Sequence, residues 1–223
     1  MKNKKYFITG FILICVFIIW TILIQIVDVK TIGQGETKTG FALLNSTFHK
    51  VTGVNLTLYH VTDWLGLVPI VFCLIFGIIG FIQLIRRKNL FKVDYDITLS
   101  GIYYIIIILL YLLFETIPIN YRPVLISGVM ECSYPSSTTL LVASVMPSVR
   151  LLIKRRIRAE FIRRFTDISV TIFILFVVIG RTLSGVHWLT DIIGAVLLSA
   201  GLFLIYKWSI LFMDERRLNR GIQ

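Results

Sequence analysis

The chain has 223 residues, of which 57% are hydrophobic and only 16% are charged. Soluble domains carry about 25% charged residues, so this composition excludes an ordinary water-soluble domain and predicts a single membrane domain over residues 1–223. The net charge of +11 does not indicate a nucleic-acid partner, because the basic residues lie in short stretches between apolar runs. Membrane phospholipid is the expected neighbour of these basic stretches.

Six apolar runs follow one another along the chain. The first three are uncharged and long enough to cross a bilayer, at residues 6–27, 65–85 and 97–114. The other three are shorter because charges lie near their ends, at residues 138–153, 168–180 and 192–206. The fold class that this pattern predicts is all-α, a polytopic bundle of six transmembrane helices.

The basic residues predict the orientation of this bundle. All but five of the 23 Lys and Arg residues fall at the two termini or in the loops after the second and fourth predicted helices. The positive-inside rule makes that side cytoplasmic, so both termini are predicted to be cytoplasmic. The remaining five are Lys30, Lys38, Lys50, Arg122 and Arg181. The first apolar run is too long for a signal peptide, which favours an uncleaved anchor in a bacterial plasma membrane.

Residues 29–64 form the longest predicted extracytoplasmic segment. Phe41, Leu44, Phe48 and Val51 recur there at helical spacing, which predicts an interfacial helix with one apolar stripe. This helix could pack on the bundle as a structural element, or it could act as a lid or lateral gate for a lipid substrate.

Three stretches between residues 115 and 191 are predicted to emerge together on the extracytoplasmic side. They cover residues 115–123, 134–138 and 180–191. In the last one, His187 and Asp191 are four residues apart, which places them on one face of a helix. A carboxylate bonded to one imidazole nitrogen fixes the tautomer and leaves the other nitrogen free to attack or to take a proton.

The other polar residues of these stretches suit an anion. The guanidinium groups of Arg122 and Arg181 match the oxygens of a phosphate. Ser136 and Ser137 follow a proline at the predicted start of the fourth helix, where unpaired backbone N–H groups favour an anion. Together with His187 these residues predict a phosphate site with a histidine nucleophile.

The order and spacing of these residues resemble the type 2 phosphatidic acid phosphatase family, which shares its core with vanadium haloperoxidases and glucose-6-phosphatase. Its third motif, Ser-Arg-x5-His-x3-Asp, is matched by Arg181, His187 and Asp191, with Gly180 in place of the serine. The resemblance implies that His187 attacks phosphorus to form a phosphohistidine and that Asp191 orients it.

The first two motifs of the family are altered. In Lys-x6-Arg-Pro, Arg122 and Pro123 match but Glu115 occupies the lysine position. In Pro-Ser-Gly-His, Ser136 matches, while Ser137 stands for the glycine and Thr138 for the histidine. The resemblance implies that Arg122, Arg181, Ser136 and Ser137 bind the phosphoryl group. It also implies that the general acid of the family, its Pro-Ser-Gly-His histidine, is missing.

Two functions remain open from the sequence. The first is a membrane phosphatase or phosphotransferase that acts on a lipid phosphate or a polyprenyl diphosphate, with the diphosphate favoured because its leaving group needs less protonation. Glu131 or Glu115 could replace the missing acid if burial raised its pKa. The second is a catalytically impaired homologue that binds an anionic lipid or a partner protein. Neither requires a cofactor, and His49 and His60 show no metal-ligand spacing.

Overall fold

The computed structural model describes residues 3–34, 36–219 and 221. Within these residues there are eight α-helices, one short 3₁₀ helix at Leu90–Lys92 and one hairpin of two three-residue strands. The helices are α1 (Lys4–Ile26), α2 (Ala42–Thr52), α3 (Leu56–Leu65), α4 (Leu67–Arg87), α5 (Tyr95–Thr116), α6 (Ser137–Arg156), α7 (Glu160–Leu183) and α8 (Leu189–Asn219). Strands β1 (Lys30–Ile32) and β2 (Thr37–Thr39) pair antiparallel, with Lys30 opposite Thr39.

The six predicted apolar runs all form helices. Five helical segments are long and apolar enough to cross a membrane: α1, the continuous pair α3–α4, α5, α6 and α8. These segments make the chain an integral membrane protein built as an α-helical bundle. The fifth predicted run lies within α7, which has 24 residues but is not among the five. Of the basic residues behind the predicted orientation, Lys2 and Arg220 lie outside the described residues.

Helix α6 forms the centre of the bundle and touches α4, α5, α7 and α8. Val142, Val145, Val149 and Leu152 recur along it at helical spacing and are fully buried. Helix α1 packs along α8, where Gly10 and Gly201 let the backbones meet. A Cβ added at Gly10 would lie 2.9 Å from the carbonyl oxygen of Gly201.

The outer surface of the bundle is apolar. Large side chains such as Phe11, Phe81, Ile105 and Ile172 are more than half exposed. An apolar surface of this extent suits the hydrocarbon of a bilayer rather than water.

The segment between α1 and α4 forms a cap over one end of the bundle. Helix α2 lies within the segment where the interfacial helix is predicted, and it is fixed to the start of α8 because the Asn45 amide donates to Thr190 Oγ1 at 3.0 Å. Leu44 and Val51 of the predicted apolar stripe are exposed, whereas Phe41 is partly buried and stacks on Trp20, so only part of the stripe faces away from the bundle. Its contact with a membrane surface stays a prediction. Helix α3 and the hairpin were not predicted.

Candidate active site

The turn between α7 and α8 holds His187. Gly185 lies in this turn with a φ of +66°, and a Cβ there would lie 1.8 Å from the carbonyl oxygen of Gly53. Only glycine fits such a position. His187 therefore precedes α8, and the prediction that His187 and Asp191 share one helical face is wrong. Asp191 lies in the first turn of α8 and accepts from the backbone N–H of Trp188 at 2.9 Å.

A serine links the histidine to the carboxylate. The Nδ1 atom of His187 lies 3.8 Å from Asp191 Oδ2, too far for a hydrogen bond. It lies 3.1 Å from both the carbonyl oxygen and the Oγ of Ser133, and that Oγ donates to Asp191 Oδ2. Asn120 donates to the other carboxylate oxygen at 3.1 Å. Asp191 thus orients His187 chiefly through Ser133.

The contacts of His187 define its tautomer. Arg181 Nη2 donates to His187 Nε2 at 2.9 Å, and a guanidinium has no acceptor, so Nε2 carries a lone pair and Nδ1 carries the proton. Burial, followed by the positive charges of Arg122 and Arg181, lowers the pKa of His187 well below its ordinary value. A neutral imidazole with an unprotonated Nε2 is the form that a nucleophile requires.

The two predicted arginines lie against one aromatic ring. The guanidinium of Arg181 lies 4.7 Å from the ring centroid of Tyr59, and that of Arg122 lies 5.4 Å from it. Both arginines are buried, Arg181 completely. Among the described residues, Arg122 Nε, Arg122 Nη1 and Arg181 Nε have no hydrogen-bond partner. Buried donors of this kind are rare, and phosphoryl oxygens are acceptors that would satisfy them.

Each arginine also contacts one carboxylate. Arg122 Nη2 lies 3.0 Å from Glu131 Oε2, and Arg181 Nη1 lies 3.3 Å from Asp63 Oδ1. The side chains of Glu131 and Asp63 are 41% and 51% exposed, so both carboxylates also face solvent.

A family model described as PAP2 superfamily matches residues 112–214, which contain every predicted site residue. The match assigns these residues to the PAP2 superfamily. Its fold is similar to that of a transmembrane PAP2-type phosphatidylglycerolphosphate phosphatase from Bacillus subtilis, with a TM-score of 0.57 and 18% identity over 93% of this chain and 96% of that chain. At this identity the likeness concerns the fold alone. The comparison with curated proteins gives no match.

The altered PAP2 positions lie at the edge of the site. Thr138 is buried and its Oγ1 donates to Asp63 Oδ1 at 3.4 Å. Ser136 is also buried, but its Oγ donates to Thr139 Oγ1 at 3.0 Å, while Ser137 is half-buried at the start of α6. Glu115 is exposed near the end of α5, and among the described residues its side chain contacts neither arginine. The structure therefore brings His187, Asp191 and the two arginines together, and leaves Glu115 outside.

Sequence reasoning missed Tyr59, Asp63, Asn120 and Ser133. Ser133 lies three residues before the matched Ser136, and a conspicuous run of polar residues there was the available signal. Tyr59 and Asp63 lie on α3, whose packing against α7 joins residues about 120 positions apart. No local pattern indicates that contact.

Proposed function

We propose that the protein is a membrane phosphatase that hydrolyses a lipid phosphate at the extracytoplasmic face through a phosphohistidine on His187. The observation that carries this proposal is the hydrogen bond from the buried guanidinium of Arg181 to His187 Nε2 at 2.9 Å, which requires a lone pair on that nitrogen. The three unpartnered arginine donors beside it support binding of a phosphoryl group.

In this mechanism the phosphoryl oxygens take the place of His187 Nε2 and of the carboxylates as partners of the arginines. The Nε2 lone pair then forms a bond to phosphorus as the bond to the leaving oxygen breaks. The imidazole becomes cationic in the intermediate, and Asp191 and the Ser133 carbonyl stabilise that charge. Water then attacks phosphorus, the P–N bond breaks and Nε2 recovers its lone pair. Arg122 and Arg181 stabilise the charge on the transferred group in both steps.

We further propose six transmembrane spans, with α7 as the sixth, and cytoplasmic termini. Val170 and Val177 of α7 are buried against α6, whereas Ile168 and Ile172 are exposed. A helix with one face on the bundle and one apolar face outward suits a bilayer. The basic cluster at the end of α6 and the site at its start lie a helix length apart, about 30 Å for 20 residues. The positive-inside rule then favours an extracytoplasmic site.

Accessibility to an impermeant reagent tests this orientation. In a Cys132→Ser background, Glu36→Cys should react with a membrane-impermeant maleimide in intact cells. Arg158→Cys, in the loop after α6, should react only after the cells are permeabilised. The reverse pattern would contradict the proposed orientation.

The substrate class that we propose is a lipid phosphate monoester or a polyprenyl diphosphate. The similar solved structure belongs to a phosphatidylglycerolphosphate phosphatase, whose name specifies a lipid phosphate substrate for that protein. Thr138 replaces the histidine that acts as the general acid in the family. If no other residue supplies the proton, the protein should favour a diphosphate, because its leaving group needs less protonation.

A second candidate function is a protein that binds an anionic lipid without turning it over. The observation that favours it is that both arginines already contact carboxylates, Glu131 and Asp63, and that Glu115 stands where the family has a cation. These negative charges weaken phosphate binding.

Phosphate release by the purified protein in detergent distinguishes the two candidates. The substrates are a polyprenyl diphosphate and phosphatidic acid, and the variant is His187→Ala. His60→Ala is the matched control, since His60 is exposed and its side chain makes no hydrogen bond among the described residues. A phosphatase should release phosphate in a way that His187→Ala abolishes and His60→Ala preserves. If the wild-type protein releases no more than His187→Ala from either lipid, the binding function is supported.

A further inference from the structure

Helix α3 fills the space at two positions where the chain departs from the family pattern. A Cβ added at Gly180 would lie 2.6 Å from Thr62 Cγ2, so α3 occupies the volume of the family serine. A Cβ added at Gly66, just after α3, would lie 2.9 Å from Thr138 Cγ2. The close approach of α3 therefore requires small residues at Gly180 and Gly66.

The same helix brings a carboxylate to the position of the missing histidine. Asp63 Oδ1 lies 3.4 Å from Thr138 Oγ1, so it extends one hydrogen-bond length beyond the short threonine side chain. Asp63 Oδ1 also lies 3.3 Å from Arg181 Nη1, while Arg181 Nη2 contacts His187 Nε2. The carboxylate and the nucleophile thus lie at the two nitrogen ends of one guanidinium.

We propose that Asp63 is the general acid that protonates the leaving group, in place of the histidine that Thr138 replaces. This inference rests on the proposed phosphatase function and adds a catalytic residue to it. Other nearby carboxylates are less well placed: Glu131 contacts Arg122 and not the arginine that bonds to His187, and the Glu115 side chain contacts no arginine among the described residues.

The position of Asp63 gives it access to a source of protons. Its side chain is 51% exposed, so the proton that it donates comes from solvent.

The proton balance closes over the two steps. His187 Nε2 forms a bond to phosphorus, the bond to the leaving oxygen breaks, and that oxygen takes the proton of Asp63. The resulting carboxylate takes a proton from the water that attacks the phosphohistidine, and the P–N bond breaks. The products are the lipid alcohol, or a lipid monophosphate from a diphosphate, and inorganic phosphate.

Leaving-group dependence in Asp63→Asn tests this role. We would measure kcat/KM, which reports the steps up to the phosphohistidine, with phosphatidic acid and with 2,4-dinitrophenyl phosphate. The alkoxide leaving group needs a proton and dinitrophenolate does not. Asp63→Asn should lower kcat/KM by roughly 10²- to 10⁴-fold for phosphatidic acid and by less than about threefold for the dinitrophenyl ester. Retained activity on the activated ester also shows that the variant is folded.

Two further variants complete the design. Glu36→Gln makes the same carboxylate-to-amide change at an exposed residue of the hairpin loop and should leave both substrates unchanged. His187→Ala should abolish both reactions. Equal losses for the two substrates in Asp63→Asn, or no loss for phosphatidic acid, would overturn the role of Asp63 and leave the phosphatase function standing. If the wild-type protein were no more active than His187→Ala on either substrate, both proposals would fall.

Discussion

Tyr59 is expected to hold the two phosphate-binding arginines side by side. Its ring lies 4.7 Å from the guanidinium of Arg181 and 5.4 Å from that of Arg122, and all three residues are buried. The negative face of an aromatic ring offsets the repulsion between two nearby cations. A desolvated cation–π contact contributes about 2 kcal/mol, so the two contacts together contribute roughly 2–4 kcal/mol. Tyr59→Leu, which keeps an apolar side chain but loses the ring, should remove this stabilisation.

The loss of the ring should reduce phosphate binding. If the whole 2–4 kcal/mol is lost from binding of the transition state, kcat/KM should fall by about 30- to 1,000-fold, since 1.4 kcal/mol is a factor of ten. The inhibition constant of inorganic phosphate should rise in parallel, which a purely structural role of Tyr59 would not produce in the folded fraction. Tyr59→Phe is the matched control because it retains the ring, and it should remain within about threefold of the wild type. Equal losses in the Phe and Leu variants, or a normal phosphate inhibition constant in Tyr59→Leu, would refute this reasoning.

Three other predictions concern the contacts around His187 and the arginines. Ser133→Ala should lower kcat/KM by roughly 10- to 100-fold, because a hydrogen bond to a charged group contributes about 1.5–3 kcal/mol; an unchanged value would mean that Asp191 orients His187 without the serine. Glu131→Gln should lower KM by up to about fivefold by releasing Arg122 from its pair with the half-exposed Glu131, and a higher KM would contradict this. Since His187 is neutral in the folded state, acidification below about pH 6.5 should cost about 1.4 kcal/mol of stability per pH unit, as the unfolded chain alone takes up the proton. Thermal unfolding of His187→Gln should show a shallower pH dependence, and equal slopes would contradict the lowered pKa.

Much of the bundle could be predicted because a bilayer imposes a strong pattern on the sequence. Each apolar run must form a helix to satisfy its backbone hydrogen bonds, so all six predicted runs are helical. The convergence of Arg122, Arg181 and His187 followed from the alternating direction of those helices. The sequence could not show that Asp191 reaches His187 through Ser133, because the chain leaves helical geometry at Gly185.

The contribution of α3 lay beyond any local pattern. Its residues Tyr59, Thr62 and Asp63 contact residues of α6 and α7 that are far away in the sequence. In the family motifs alone, Glu115 replaces the lysine of the first motif and Thr138 replaces the general-acid histidine of the second. In the folded chain, the second of these replacements faces a carboxylate from another helix. A motif with a missing residue therefore does not by itself establish a missing function, because an unrelated segment can bring the same chemistry to the site.

The ratio of activities on the two lipid classes distinguishes a site that lacks a general acid from one in which Asp63 is the acid. If Thr138 leaves the site without an acid, the wild-type protein should strongly prefer a polyprenyl diphosphate to phosphatidic acid, because phosphate leaves without a proton far more readily than an alkoxide. If Asp63 supplies the proton, the wild-type protein should hydrolyse the two substrates at comparable rates. Asp63→Asn should then slow hydrolysis of phosphatidic acid alone and so create a preference for the diphosphate. A strong preference in the wild-type protein that Asp63→Asn leaves unchanged would mean that the site works without an acid. The substrate would then be selected by its leaving group.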